Sequence, residues 1–307
     1  MRVLHVWDEC GIAGMLSRTF RERGIVCNVV KRFGFDNGLH QDSYYNTRLI
    51  VNLAYPPVKS EDVCLKRKLY LILPSFLRGL AWKLFSFNRT LCFYVMAMKQ
   101  AKNYELVHIH SLFWMCLFVP FKPKVLLFHG DDIRESPSLK GRFKRRLNRS
   151  VVRLLSLWHT IYVSTPDLVG ELPNTKYVPN PVDDRLFHPR KSNVNPKGHA
   201  LFFLNWFGNL DWAEKIAVNH GWKLTVLNRS RQEHVQYAGM PKLLSYFEVF
   251  IDRKNIRSLS KTALEALAMG LRVVRWDGEI VEGLSDEHRL DNVADCWMQI
   301  YKEKLKS

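Results

Sequence analysis

A carboxylate, an imidazole and a few cations mark the places in this 307-residue chain where chemistry could be done. Glu265 sits in Ser260-Lys261-Thr262-Ala263-Leu264-Glu265-Ala266-Leu267-Ala268-Met269-Gly270. A carboxylate can accept two hydroxyl hydrogen bonds, and such charge-assisted bonds are the strong kind. The preceding loop, from Asn255 to Thr262, offers Arg257, Lys261, the Thr262 hydroxyl and helix amides, a setting suited to a diphosphate. A second group is Phe128-His129-Gly130-Asp131-Asp132-Ile133-Arg134. A neutral His129 could donate or accept near pH 7; a buried histidine with a satisfied partner is the alternative. Gly11 and Gly14, in Asp8-Glu9-Cys10-Gly11-Ile12-Ala13-Gly14, would let an anion approach backbone amides, or would serve only close helix–strand packing. They do not make the G-x-G-x-x-G dinucleotide fingerprint. Lys215 could bind phosphate as a point charge, or be an exposed helix lysine.

These groups need elements to hold them. Leu264, Leu267 and Ala268 make an i, i+3, i+4 stripe, Ser260 or Thr262 can cap the first turn, and Gly270 allows a left-handed exit. The pattern predicts a helix over 259–269 with Glu265 near its start, where the dipole favours an acid. A helix with an ordinary first-turn acid fits equally well. Further strands are predicted near 2–7, 25–30, 49–53, 106–110, 124–128 and 159–163, then 200–204, 222–227, 247–251 and 271–275. Helices are predicted near 12–23, 66–102, 111–119 and 139–157, then 210–219, 240–246 and 289–305. This alternation predicts an α/β fold with two Rossmann-like domains, 1–188 and 198–288, and a C-terminal helix at 289–307 that is free to return to the first domain. A Pro- and Asn-rich linker runs from Pro179 to Gly198. Such an arrangement places ligand in the cleft facing the carboxyl ends of both sheets.

Several strings together resemble the retaining glycosyltransferases of the GT-B fold, family 4, of archaeal and bacterial type. They are the Glu265 segment, His129 to Arg134, Val163-Ser164-Thr165-Pro166-Asp167-Leu168, and Val178-Pro179-Asn180-Pro181-Val182-Asp183 through Phe187-His188-Pro189. The resemblance implies that Glu265 holds the ribose hydroxyls of a nucleotide-sugar and that His129 touches the transferred sugar. It implies that Asp132 and Arg134 shape the acceptor side or bind each other, and that Gly11 and Gly14 face the donor phosphates and acceptor. Lys215 matches the family lysine that clamps the diphosphate. Asn209 stands where the family has Arg, losing a planar fork suited to phosphate. Arg257 stands where the family has a first Glu, so the cations missing at 209 are expected to be supplied by Arg257 and Lys261. The Ser164–Asp167 and Val178–Pro189 strings are expected to be fold markers, a Pro-started helix and a rigid turn.

The implied activity is sugar transfer from a nucleotide-diphosphate donor to a lipid-linked or glycan acceptor, with retention. No cofactor and no metal ion are expected, since there is no D-x-D and no metal-ligand spacing among the six cysteines. A nucleotide-sugar epimerase and a catalytically degraded glycan-binding relative are the alternatives. Charge adds a partner class. The chain has 46 Lys+Arg against 29 Asp+Glu, and residues 1–190 alone hold 29 against 15. A basic half raises the local concentration of anionic partners, here an anionic membrane surface, and the cation- and aromatic-rich stretch 69–101 suits headgroup depth. Nucleic acid is not expected, because no recognised binding module appears. Scattered cysteines, an acidic N-terminal segment and the lack of a run long enough to span a bilayer lead to an expected cytoplasmic location, peripheral at the inner face of the membrane.

Overall fold

The computed structural model describes residues 1–8, 11–30, 91–130, 133–134, 139–189, 198–204, 208–228 and 235–306. The expected strand at 49–53, most of the expected helix at 66–102 and Asp132 lie outside the described residues.

Two largely parallel sheets form. The first contains β1 (Arg2–Val6), β2 (Val26–Val30), β3 (Leu106–His110), β4 (Lys124–Phe128), β5 (Ile161–Val163) and β6 (Thr175–Tyr177), in the order β2-β1-β3-β4-β5-β6. The second contains β7 (His199–Leu204), β8 (Lys223–Asn228), β9 (Val249–Ile251), β10 (Arg272–Val274) and β11 (Ile280–Val281), in the order β11-β10-β9-β7-β8. Among the described strands, only β11 runs antiparallel. β1, β3 and β4 are almost wholly buried, as strands covered on both faces are, with His5, His108 and His110 set among their apolar residues. β6 was not expected: its sequence, Thr-Lys-Tyr, carries no apolar period, and pairing with β5 alone creates it.

The described helices are α1 (Ile12–Glu22), α2 (Leu139–Leu155), α3 (Leu210–Asn219), α4 (Met240–Leu244), α5 (Lys261–Ala268) and α6 (Leu290–Lys306), and residues 91–101 are also helical. The segment expected to be helical at 111–119 is a short 3-10 turn, Phe113–Leu117, in the brief passage between β3 and β4. Gly270 ends α5 with φ +84°, as its left-handed role requires.

α6 leaves the second sheet and packs on the first. Trp297 and Tyr301 are among its fully buried side chains, and both touch the His108 ring. Backbone bonds from Val182 N to His288 O (2.8 Å) and from Leu290 N to Val182 O (3.1 Å) fasten its start beside the linker. Arg23 of the α1 C-terminus pairs with Asp291 and Asp295. One apolar cluster therefore runs from Val3, Leu16 and Phe20 through Trp297 to Leu201, Phe250 and Leu264.

Candidate functional site

A cavity of about 370 Å³ opens where the carboxyl ends of the two sheets meet. Its first wall is Ser164 and Thr165 after β5 and Tyr177 and Asn180 at the end of β6. Its second wall includes Arg257 and Ser258 after β9 and Arg275 and Trp276 after β10. This is the position at which open α/β sheets take ligands.

Polar groups on the first wall are buried and held. Arg134 forks onto Asp167, Nε to Oδ2 at 3.0 Å and Nη2 to Oδ1 at 2.8 Å, and its Nη2 also reaches the Thr165 hydroxyl at 2.7 Å. Burial raises the Asp167 pKa, but the Arg134 hydrogen bond and charge outweigh it and leave Asp167 below the usual range. Gly130 at φ +109° is needed here, because a Cβ would collide with the Arg134 guanidinium. Arg134 therefore binds Asp167, thirty-three residues away, and locks β4's exit loop to β5's. The Asn180 Oδ1 is buried on the cavity wall without a hydrogen-bond partner.

His129 follows β4 and contacts two neighbours. Its Nδ1 lies 3.2 Å from Ser164 Oγ, and its Nε2 lies 3.3 Å from His110 Nδ1. His110 Nε2 in turn lies 2.9 Å from His5 Nδ1. His108, on the same face of β3, has Nδ1 at 2.6 Å from the Tyr301 hydroxyl. Burial drives the pKa values of all four imidazoles down: to about 3 for His5, to about 3 for His129 with help from the Lys261 charge, and well below the ordinary value for His108 and His110. His129 is therefore neutral at pH 7, and it is not poised to titrate there.

Spacing along the chain gave no hint of a metal set, yet candidate ligand atoms of His5, His108 and His110 lie within 4.8 Å of one another. The signal was readable in part. His-x-His on a strand puts two imidazoles on one face, and β1 pairs in register with β3 through His5 and His108.

On the second sheet's side, Ser260 caps α5, its hydroxyl accepting from Ala263 N at 3.0 Å, and Asp252 Oδ2 accepts from Ser260 N at 2.7 Å. Because the helix begins at Lys261, Glu265 is its fifth residue and the first turn carries no acid. The expected dipole support for Glu265 is thus replaced by specific partners. Tyr237 donates its hydroxyl to Glu265 Oε1 at 3.1 Å, and Lys261 Nζ stands 3.7 Å from that oxygen and 5.0 Å above the Tyr237 ring. Glu265 is 3 % exposed and lies behind the cavity wall formed by Leu264 and Leu267. Thr262 is half-buried, and Arg257 is exposed on the cavity wall.

The remaining candidates stand apart. Gly11 is the left-handed N-cap of α1 at φ +70°, and Gly14 is buried within that helix. The Ala13 amide there is already taken by Asp8 Oδ1 at 2.8 Å, so α1 brings its own anion to its N-terminus. Asn209 caps α3, its Oδ1 accepting from Trp212 N at 2.9 Å, which commits the oxygen to the helix. Lys215 lies on the exposed face of α3. The structure thus brings together Arg257, Lys261, Thr262 and Glu265 around α5, and His129 and Arg134 after β4. Ser164, Thr165 and Asn180 belong to strings the sequence marks as fold markers, and the structure adds them to the cavity.

No protein-family model and no curated protein matches the chain. Among solved structures it is similar to a sucrose-phosphate synthase from Thermosynechococcus elongatus, with a TM-score of 0.53 and 13 % identity over 99 % of this chain and 90 % of that one. Weaker similarities are a UDP-GlcNAc 2-epimerase from Neisseria meningitidis (TM-score 0.44, 12 % identity, 100 % and 93 % covered) and a calicheamicin glycosyltransferase (TM-score 0.40, 13 % identity, 99 % and 92 % covered). Together with the two sheets, the first of these similarities establishes the architecture as GT-B, two Rossmann-like units with a cleft between them.

Proposed function

We propose that the chain is a retaining, metal-independent glycosyltransferase of family 4, of the archaeal and bacterial kind. It moves a sugar from a nucleotide-diphosphate donor to a lipid-linked or glycan acceptor. The observation that carries this reading is the cavity itself: it lies at the carboxyl ends of both sheets, with Arg257 exposed on one wall and hydroxyls lining the other. In this reading Arg257 and Lys261, with the amides at the start of α5, hold the diphosphate and stabilise the charge it gains on leaving. Glu265, held by Tyr237, takes the ribose hydroxyls after the Lys261 ammonium turns from it to the phosphate. The acceptor oxygen forms its bond to the anomeric carbon on the face from which the diphosphate departs with the bonding pair. The acceptor proton passes to a departing phosphate oxygen. The neutral His129 side orients the sugar and takes no net charge.

The acceptor part of the reading includes an anionic membrane surface. It is supported by the basic helix α2 and by Leu147, Leu154, Leu157 and Trp158, all more than half exposed in or just after it. Co-sedimentation with anionic but not neutral vesicles is the expected outcome; equal recovery with both would remove it. No helix among the described residues is long and apolar enough to cross a membrane.

The test of the reaction is a mass-spectrometric assay of purified protein with membrane lipid extract and a panel of nucleotide-sugars. Wild type and Glu265→Ala run side by side, with Glu265→Gln as the control that keeps an acceptor for Tyr237. Transfer by wild type and its loss in Glu265→Ala are expected. Equal product from both would remove Glu265 from the mechanism. An epimerised free nucleotide-sugar formed without acceptor, or donor binding with no turnover, would replace transfer with one of the other two functions.

A further inference from the structure

Three imidazoles and one hydroxyl form an unbroken line from the sheet interior to the cleft. The contacts are His5 Nδ1 to His110 Nε2 at 2.9 Å, His110 Nδ1 to His129 Nε2 at 3.3 Å, and His129 Nδ1 to Ser164 Oγ at 3.2 Å. Ser164 is 3 % exposed, and it lines the cavity, whereas His129 does not. The Ser164 amide donates to Phe128 O at 3.0 Å, which fixes the serine against the end of β4.

A neutral imidazole has one N–H and one lone pair, so each ring donates at one end and accepts at the other. The line therefore has only two self-consistent polarities. In one, every proton points toward the cleft: His5 donates to His110, His110 to His129, and His129 to Ser164. The other reverses all three bonds. The far end decides between them. His5 Nε2 is fully buried with no partner among the described residues. In the outward polarity it carries only a lone pair, and in the reverse polarity it is an orphaned N–H, the rarer and costlier defect. With the outward polarity the Ser164 oxygen accepts from His129, and its own proton points into the cavity.

We propose that Ser164 is the ligand-contacting end of a His5–His110–His129–Ser164 relay, donating its hydroxyl proton to a hydroxyl oxygen of the bound sugar. His5, His110 and His129 are positioning residues that set the polarity. The sugar contact rests on the glycosyltransferase function proposed above; the relay does not. An imidazolium anywhere along the line would donate at both ends and leave His5 Nε2 carrying the orphaned N–H, which suits a site whose rings burial keeps neutral. A metal ion at His5, His108 and His110 is the competing use of the cluster. It would need to take a His110 nitrogen from His5 or from His129, both of which already meet that ring at hydrogen-bond distance.

Two measurements decide. Nitrogen-15 spectra of histidine-labelled protein at pH 7 are expected to show His129 protonated at Nδ1 and bare at Nε2, and His110→Phe is expected to abolish that fixed tautomer. Calorimetric titration with UDP-glucose, GDP-mannose, UDP and GDP is expected to show that Ser164→Ala weakens sugar-nucleotide binding about tenfold, the worth of one hydrogen bond. Bare diphosphate nucleotides should bind as before, and Ser164→Thr should restore the loss. A proton on His129 Nε2 would overturn the relay, and so would stoichiometric zinc or cobalt uptake lost in His108→Ala. Unchanged sugar-nucleotide affinity in Ser164→Ala would overturn the sugar contact, and weakening of the bare nucleotides too would move that contact to phosphate. If wild type binds none of the four probes, the transferase function and the sugar contact fall together, while the tautomer still decides the relay.

Discussion

The two walls of the cleft differ in kind. The first, from β4, β5 and β6, presents hydroxyls and an amide with neutral imidazoles behind them, and its one described arginine nearby, Arg134, is committed to Asp167. The second, from β9, β10 and α5, presents an exposed Arg257, an Arg275 paired with Asp277 and Glu279, and Lys261 just behind. A ligand with a charged and an uncharged half would be sorted by this difference. Its anion would lie on the second wall, where cations and helix amides cost nothing to reorganise, and its hydroxyls on the first.

The neutrality of the first wall is most easily broken by acid. Burial holds His5, His108, His110 and His129 neutral far below the ordinary histidine pKa near 6.5. Below that pH the unfolded chain takes protons that the folded chain refuses, so stability must fall as pH drops. The slope is up to about 1.4 kcal/mol per pH unit for each histidine. Melting temperatures measured from pH 7.5 to 5.0 should decline steadily, and a flat profile would show that the first wall tolerates charge. Asp167 works in the opposite chemical sense but in a separate window, since its stabilisation is lost only as pH falls through its own depressed pKa.

Next in size is Arg134→Ala. It strands a partly buried Asp167 carboxylate and should cost about 3 kcal/mol, read as a lower denaturation midpoint at unchanged m-value. An unchanged midpoint would mean that the Arg134–Asp167 fork does not hold the first wall together. The smallest expected effect sharpens the contrast most. Arg257 is exposed, so Arg257→Ala should leave the melting temperature alone while weakening a nucleotide diphosphate about tenfold and a bare nucleoside not at all. Equal loss for both ligands would take the phosphate off the second wall.

Much of the scaffold was legible because it rests on period and punctuation. Buried apolar strands, the stripe of α5 and the Gly270 exit are local signals. What was hidden depends on meeting across sequence distance. Arg134 finds Asp167, and His110 finds His5, only because β4 lies beside β5 and β3 beside β1. β6 had no signal of its own. Glu265 illustrates a finer limit. Counted from the expected start at 259 or from the observed one at Lys261, it lies past the first turn, and its support is Tyr237 and Lys261 in place of the dipole. Asn209 was weighed as a poor phosphate ligand, and the simpler role of capping α3 claimed it.

The return of α6 to the first sheet means that the chain passes between the two units twice, once after β6 and again before Leu290. A body tied to another at a single point can swing in any direction. Tied at two points, it can turn only about the line that joins them. Opening and closing of the cleft is thereby reduced to one coordinate, with Trp297 and Tyr301 travelling with the histidines they cover.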